Sequence, residues 1–229
     1  MSEIIAENDP RIALGHQRML DYWTSIGVVE DDVISFLINP MFTGAPAWPN
    51  TRQAYRIIRT AHSLILASDG LADPFVDTDM SDVSGYGMEA YLEIAGAQSW
   101  PLDQIMDSAA FQLIKMVAQN VAGHGGVDAL LDKYGVLSMA LPLDVELAEG
   151  WHDADGQLGV LLGVSFAGRP DRVDLPFGPC RITSVTPIRP SELAVAARSA
   201  SARQALAAAL AALPGSPGFD ADRPALPIN

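Results

Sequence analysis

The chain has 229 residues, 49% of them hydrophobic, which is enough to bury the core of one domain without disulfides or metals. With 28 acidic against 14 basic residues, the formal net charge is −14, which excludes nucleic acid and anionic membrane surfaces as favoured partners. The single cysteine, Cys180, excludes an intramolecular disulfide. The first residues lack a secretory pattern, and no apolar run approaches the roughly 20 residues of a membrane helix. We therefore expect a cytoplasmic protein.

The sequence of the first third of the chain predicts one helix, one strand and a segment that fits two alternatives. Asp9-Pro10 is an N-cap followed by a first-turn proline, and it predicts a helix over 11–25. Residues 33–38 are β-branched and apolar and predict a strand, whereas the glycine and prolines of 42–50 predict a loop. Residues 52–68 fit either one helix or two strands, with a buried strand near 62–68 at their end.

The middle of the chain combines a clear strand with a long helix. Residues 86–94 alternate between apolar and other side chains, which predicts a strand with one core face and one partly wet face. Residues 101–122 predict one helix whose apolar stripe should pack on the sheet. That stripe includes Leu102, Ile105, Ala109 and Leu113.

The last part of the chain alternates between short strands and helices. A short helix is predicted over 127–134, and an alanine-rich helix over 190–213. Strands are predicted at 137–141, 158–166 and 180–186. Together these elements indicate an α+β protein, with a mixed β-sheet and helices packed on it.

The domain organisation follows from the same elements. We expect a single domain in which the helix and strand of 1–51 join a core at 52–213. Residues 214–229 are rich in proline and glycine and predict an extended or mobile tail.

The sequence contains no complete pattern for metal binding, phosphate binding or nucleophilic catalysis. Asp77-x-Asp79 lacks the remaining positions of a calcium loop, and the glycine-rich stretches at 85–87 and 123–126 do not link a strand to a helix as a phosphate cradle does. No nucleophile elbow occurs, and the four histidines are scattered. We therefore expect no enzyme, no catalytic residue, no metal and no cofactor, with an uncharacterised hydrolase as a remote alternative.

One interval of the chain is strongly acidic. Between Arg59 and Lys115 there is no lysine or arginine, and the first acids of this interval lie near turns, where side chains are expected to be exposed. The candidate partner-binding residues are Asp69, Asp73, Asp77, Asp79 and Asp82. Complementary charge of this kind would attract a basic protein, such as a toxin domain. The other interpretation is an ordinary solvated surface.

A series of short motifs resembles the suppressor of fused domain family over about residues 52–198. The series is Asp69-Gly70-Leu71-Ala72-Asp73-Pro74-Phe75, Gly85-Tyr86-Gly87-Met88-Glu89, Ser99-Trp100-Pro101, Leu161-Leu162-Gly163-Val164, Leu175-Pro176-Phe177-Gly178 and the stretch 182–193. No single motif is specific, and the resemblance depends on their order.

The resemblance implies a protein-binding module of the bacterial, single-domain type. Relatives of that type look like immunity proteins that neutralise toxins. The alternative is a regulatory adaptor that binds a peptide of a transcription-linked partner by strand addition. An exposed strand edge would favour the adaptor, whereas a closed pocket that holds a histidine and carboxylates with shifted pKa values would favour the hydrolase. The sequence does not identify the oligomeric state.

Overall fold

The computed structural model describes residues 4–78, 83–143, 149–214 and 217–227. Within these ranges eight strands form one mixed sheet. The strands are Val28–Ser35 (β1), Ala54–Arg59 (β2), Ser63–Asp69 (β3), Met88–Ala95 (β4), Leu137–Pro142 (β5), Gln157–Leu162 (β6), Arg172–Leu175 (β7) and Gly178–Ile188 (β8). The strand order is β1-β2-β3-β4-β8-β6-β5, and β7 pairs with β8 outside this path.

The pairing makes the sheet mixed. β1 to β4 form an antiparallel meander, β4 runs parallel to β8, and β8, β6 and β5 continue antiparallel. The α+β class with a mixed sheet is confirmed.

Helices cover both faces of the sheet. They are Pro10–Ile26 (α1), Leu102–Asp107 (α2), Ala109–Gly123 (α3), Asp128–Tyr134 (α4), Pro190–Ala196 (α5) and Ala200–Ala211 (α6), with a short 3₁₀ turn at Pro40–Thr43. The buried side chains of α3 pack with those of β2, β3 and β4 in the main hydrophobic core. α1 closes the opposite face together with β7, and α6 forms a third cluster with β6 and the end of β8. No helix in the described ranges is long and apolar enough to cross a membrane.

The central strands are buried on both faces. The prediction that one face of the strand at 86–94 is partly exposed to solvent is therefore wrong. Every residue of β3 is buried, and only the last residue of β4 is exposed. The second face carries Tyr91, whose ring meets that of Trp23 on α1. The charged residues of this face are also buried, and each has hydrogen-bond partners, as Glu93 does with Arg169.

Both long helices predicted from the sequence are interrupted by a serine. At Ser108 the backbone is extended, and its side chain accepts a hydrogen bond from the N–H of Phe111, so α3 starts anew there. Ile105 and Leu113 of the predicted stripe are buried, but Leu102 is exposed. Ser199 likewise caps α6 and separates it from α5.

Other boundaries differ by several residues. The strand expected at 33–38 lies at Val28–Ser35, and the two-strand interpretation of 52–68 is confirmed as β2 and β3. The sequence did not predict β7. In the tail, Phe219 forms a parallel bridge with Ile94 of β4 and the backbone turns between Asp220 and Arg223, so this part of the tail is docked on the domain.

Candidate functional site

The first acids of the acidic interval lie inside the domain. Asp69 ends β3, and Asp73 follows in the next turn. Gly70 between them has a φ of 139°, and a Cβ there would lie 2.2 Å from the carbonyl oxygen of Arg52. Gly85 packs as closely, since its Cβ would lie 2.4 Å from the Asp73 carbonyl oxygen. The two glycines let the turn fold back onto the start of β2 and bury both carboxylates.

Arg52 binds both carboxylates with its planar guanidinium group. Its Nη1 and Nη2 each donate to Asp69 at 2.7 Å, while Nε donates to Asp73 at 2.8 Å. His16 of α1 contacts Asp73 through Nε2 at 2.9 Å. Burial opposes ionisation of Asp73, but the hydrogen bonds from His16 and Arg52 outweigh it and lower the pKa of Asp73 to about 2.

Glu89 of β4 lies next to this cluster and is 2% exposed. Its Oε1 accepts hydrogen bonds from the N–H groups of Gly70 and Ala72, both at 2.9 Å, and its Oε2 accepts one from the Ser68 hydroxyl. Burial and the charge of Asp69 outweigh these bonds and raise the pKa of Glu89 to about 7. Glu89 thereby fastens the loop after β3 to β4.

His16 therefore does meet two carboxylates, Asp73 and Glu89, whose pKa values are shifted, beside a cavity, as the hydrolase alternative requires. That cavity is lined by His16, Arg52, Asp73 and Glu89 among others, and its volume is about 20 Å³. A space of this size holds about one water molecule and admits no substrate. The cluster is suited to holding the fold together.

The prediction that the acidic residues are exposed is wrong for Asp69 and Asp73. Their ion-pair partners Arg52 and Arg56, and the hydrogen-bonding His16, lie outside the acidic interval in the sequence and reach it only through the fold. Asp77 is exposed, with a φ of 57°. Asp79 and Asp82 lie outside the described residues, and partner binding by these three stays a prediction.

The described residues contain no group of three His, Cys, Asp or Glu side chains that could hold a metal ion. Cys180 is free and fully buried on β8, and burial raises the pKa of its thiol well above the ordinary value. It has the small, buried strand position expected of a structural cysteine.

A second region has the opposite character, because it exposes apolar side chains. We call it the β1 edge surface, and it consists of Val33, Leu37, Ile38, Met41 and Phe42. Among the described residues twelve large hydrophobic side chains are exposed, and these five fall within ten positions. Leu37 is fully exposed, Phe42 is 75% exposed and Ile38 is 63% exposed. Clustered exposure of this kind marks interaction sites.

The backbone of this surface is held in a defined conformation. Asn39 caps the 3₁₀ turn by accepting the N–H of Met41 at 3.0 Å, and its amide donates to the Thr51 carbonyl at 2.6 Å. β1 pairs only with β2 within the described ranges, so its other edge is open. The exposed acids Asp31 and Asp32 lie at a bulge in β1, just before the apolar residues.

Behind the turn an open groove of about 800 Å³ separates it from α3 and the end of β5. Its walls include Phe36 and Pro40 on one side and Lys115, Met116 and Gln119 on the other. This surface is not evident from the sequence, because residues 36–42 fit the end of a strand followed by a loop. The number of large apolar residues beside Pro40 was the available signal.

Comparisons with known proteins give low-level structural likenesses only. No family model matches the chain, and no curated protein matches it. A crystal structure of the Sufu-Fu complex aligns at 14% identity over 80% of this chain and 79% of that one, with a TM-score of 0.47. A crystal structure of Drosophila Suppressor of Fused aligns at 15% identity over 63% of this chain and 36% of that one, with a TM-score of 0.40. Likenesses at this level assign neither a family nor a function.

Proposed function

We propose that the chain is a non-enzymatic protein-binding domain and that its partner docks on the β1 edge surface. The observation that carries this proposal is the exposure of Leu37, Ile38 and Phe42 within six positions of one ordered turn. The centres of protein interfaces are rich in side chains of this kind, which gain most when water leaves them.

The energetics favour docking at this turn. Full burial of one such side chain contributes about 1.5–3 kcal/mol. The hydrogen bonds of Asn39 already fix the backbone that presents them, so binding does not have to order a flexible loop. The open edge of β1 adds unpaired backbone groups beside the apolar residues.

Charge suggests the chemistry of the partner. The net charge of −14 favours a basic protein, and Asp31 and Asp32 place two exposed carboxylates next to the apolar residues. Combined with what the sequence resemblance implies, this charge leads us to propose a bacterial, cytoplasmic immunity protein that neutralises a toxin with a basic surface. Asp77, with its sequence neighbours Asp79 and Asp82, is the proposed second acidic contact, which would mainly accelerate the encounter.

A regulatory adaptor is the alternative role, and the open edge of β1 favours it. An extended segment of a partner could pair with Val33–Ser35, which follow the bulge and keep regular register with β2. The bulge and the two acids restrict pairing along the rest of the strand.

Comparative capture from the native cell tests the proposed function. Three full-length baits are used: the wild type, a Leu37→Ser/Phe42→Ser double variant, and a Leu130→Ser control at an α4 leucine that is 45% exposed. We expect a protein that is retained by the wild type and the control and lost from the double variant. If every retained protein binds all three baits equally, the β1 edge surface is not the docking site.

The identity and behaviour of the retained protein separate the two roles. A basic toxin whose activity is blocked by the domain would support immunity. A non-toxic partner that binds through one extended peptide would support the adaptor.

A further inference from the structure

The sheet opens between β4 and β8. Met88 to Tyr91 of β4 pair in parallel with Arg181 to Ser184 of β8. From Val185 onward, within the described ranges, β8 no longer pairs with β4 and pairs only with β6 on its other edge. The last residues of β4 are therefore left without a strand on that side, and their backbone groups face a cleft.

The chain's own tail enters this cleft and forms a single parallel bridge with β4. The N–H of Phe219 donates to the Glu93 carbonyl at 2.6 Å, and the N–H of Ala95 donates to the Phe219 carbonyl at 3.1 Å. Gly218 passes so close that a Cβ there would lie 2.7 Å from the Ala95 nitrogen. The cleft thus accepts a glycine followed by an aromatic residue.

Further contacts recognise the backbone of the tail. The ring of Phe219 meets that of Trp151 at 4.9 Å, and the Trp151 Nε1 donates to the Ala221 carbonyl at 2.8 Å. Arg189 donates to the Arg223 carbonyl at 2.6 Å. Because these groups bind main-chain carbonyls, they would accept other side chains at residues 221 and 223 as long as the backbone conformation is kept.

The acidic end of the cleft is a buried carboxylate. Glu192 of α5 is 1% exposed, accepts the N–H of Leu226 at 2.8 Å and forms an ion pair with Arg223. The hydrogen bonds from Arg223, Leu226 and Arg189 overcome the effect of burial and lower the pKa of Glu192. A charged receptor for a backbone N–H and a guanidinium is therefore present at this end.

The tail occupies the cleft incompletely. None of the residues 217–227 is fully buried. A cavity of about 340 Å³ remains between the tail and the wall formed by Phe166, Val185 and Leu210. Segments that form an integral part of a core are packed more densely than this.

We propose that this tail cleft is a peptide-binding site, in which the tail is an intramolecular occupant that a partner's segment can displace. The ligand it fits is a peptide with a glycine–aromatic pair, followed by a turn and then by an arginine. The site lies apart from the β1 edge surface and does not depend on the function proposed above.

A peptide titration on the full-length chain tests the proposal. The probe is a fluorescent synthetic peptide with the sequence of residues 217–227, and its control carries alanine in place of the phenylalanine. The tethered tail competes at an effective concentration on the order of millimolar, so the wild type should bind the probe weakly. A Phe219→Ala chain, whose own tail is weakened, should bind the probe at least about tenfold more tightly and should not bind the control peptide.

The Leu37→Ser/Phe42→Ser chain separates this site from the β1 edge surface, because its affinity for the probe should equal that of the wild type. A folded Phe219→Ala chain that does not bind the probe would overturn the proposal.

If Phe219→Ala lowers stability too far for a titration, native-state hydrogen exchange of the wild type tests whether the tail can leave the cleft while the domain stays folded. Displacement requires the tail to open locally, so the Phe219 amide should exchange at least about a hundredfold faster than the amides of β3. Equal exchange would show that the tail opens only when the whole domain unfolds.

Discussion

Replacement of Glu89 by glutamine should stabilise the domain at neutral and higher pH. The shift of this pKa from its ordinary value of 4.5 to about 7 corresponds to about 3 kcal/mol in the free energy of unfolding. Between these two pH values the folded chain keeps a proton that the unfolded chain has released. The retained proton therefore stabilises the folded state in full below pH 4.5, and this stabilisation is lost as pH rises through 7.

The glutamine keeps the essential contacts of the glutamate. Its Oε1 can still accept the N–H groups of Gly70 and Ala72, and the Ser68 hydroxyl can turn to accept from the new amide. Because glutamine does not ionise, the free energy of unfolding of the variant should not show the decrease with rising pH that Glu89 causes in the wild type.

Urea unfolding of both chains at several pH values between 4.5 and 8 measures the effect. The free energy of unfolding of the variant, relative to the wild type, should rise by about 3 kcal/mol across this range. Glu149→Gln, at an exposed glutamate, is the matched control and should run parallel to the wild type. Parallel curves for Glu89→Gln and wild type would refute the argument that burial holds the Glu89 proton.

Three further substitutions test the contacts that hold the fold. Arg52→Met should cost about 3 kcal/mol in urea unfolding at neutral pH, because the buried carboxylates of Asp69 and Asp73 then keep only Arg56 and His16 as partners. The difference between the two chains in the free energy of unfolding should narrow as pH falls from the ordinary Asp73 pKa of 3.8 to its value of about 2 in the folded chain, and a difference independent of pH would contradict the argument. Ser108→Ala should remove the cap of α3 and cost about 1 kcal/mol, seen as a lower midpoint of thermal unfolding. Gly70→Ala should destabilise the chain more than Gly96→Ala, because only a Cβ at residue 70 would meet backbone and its φ of 139° is also less accessible to alanine than the 74° of Gly96; equal losses would contradict this.

The elements that the sequence predicted well are those in which one local pattern decides the structure. The capped start of α1 and the apolar runs of β3 and β4 are examples. The break at Ser108 was not predictable from periodicity, because the apolar spacing continues through it. Only the serine's ability to cap the next turn signals the interruption.

The acidic cluster shows the limit of charge counting. Asp69 and Asp73 belong to an interval without basic residues, yet Arg52 precedes that interval and His16 lies on a different element. The contact between His16 and Asp73 depends on how α1 packs on the second face of the sheet, and this packing cannot be predicted from a local sequence pattern. The same holds for the docked tail, since the opening beside β4 arises only where β8 changes neighbours.

The central claim is that the β1 edge surface binds a protein. Once the comparative capture has identified a partner, calorimetric titration should give its dissociation constant for the wild type, Leu37→Ser/Phe42→Ser and Leu130→Ser chains. Loss of two buried anchor side chains should weaken binding at least about thirtyfold, while the control should stay within about twofold of the wild type. Equal dissociation constants for all three folded chains would contradict the claim.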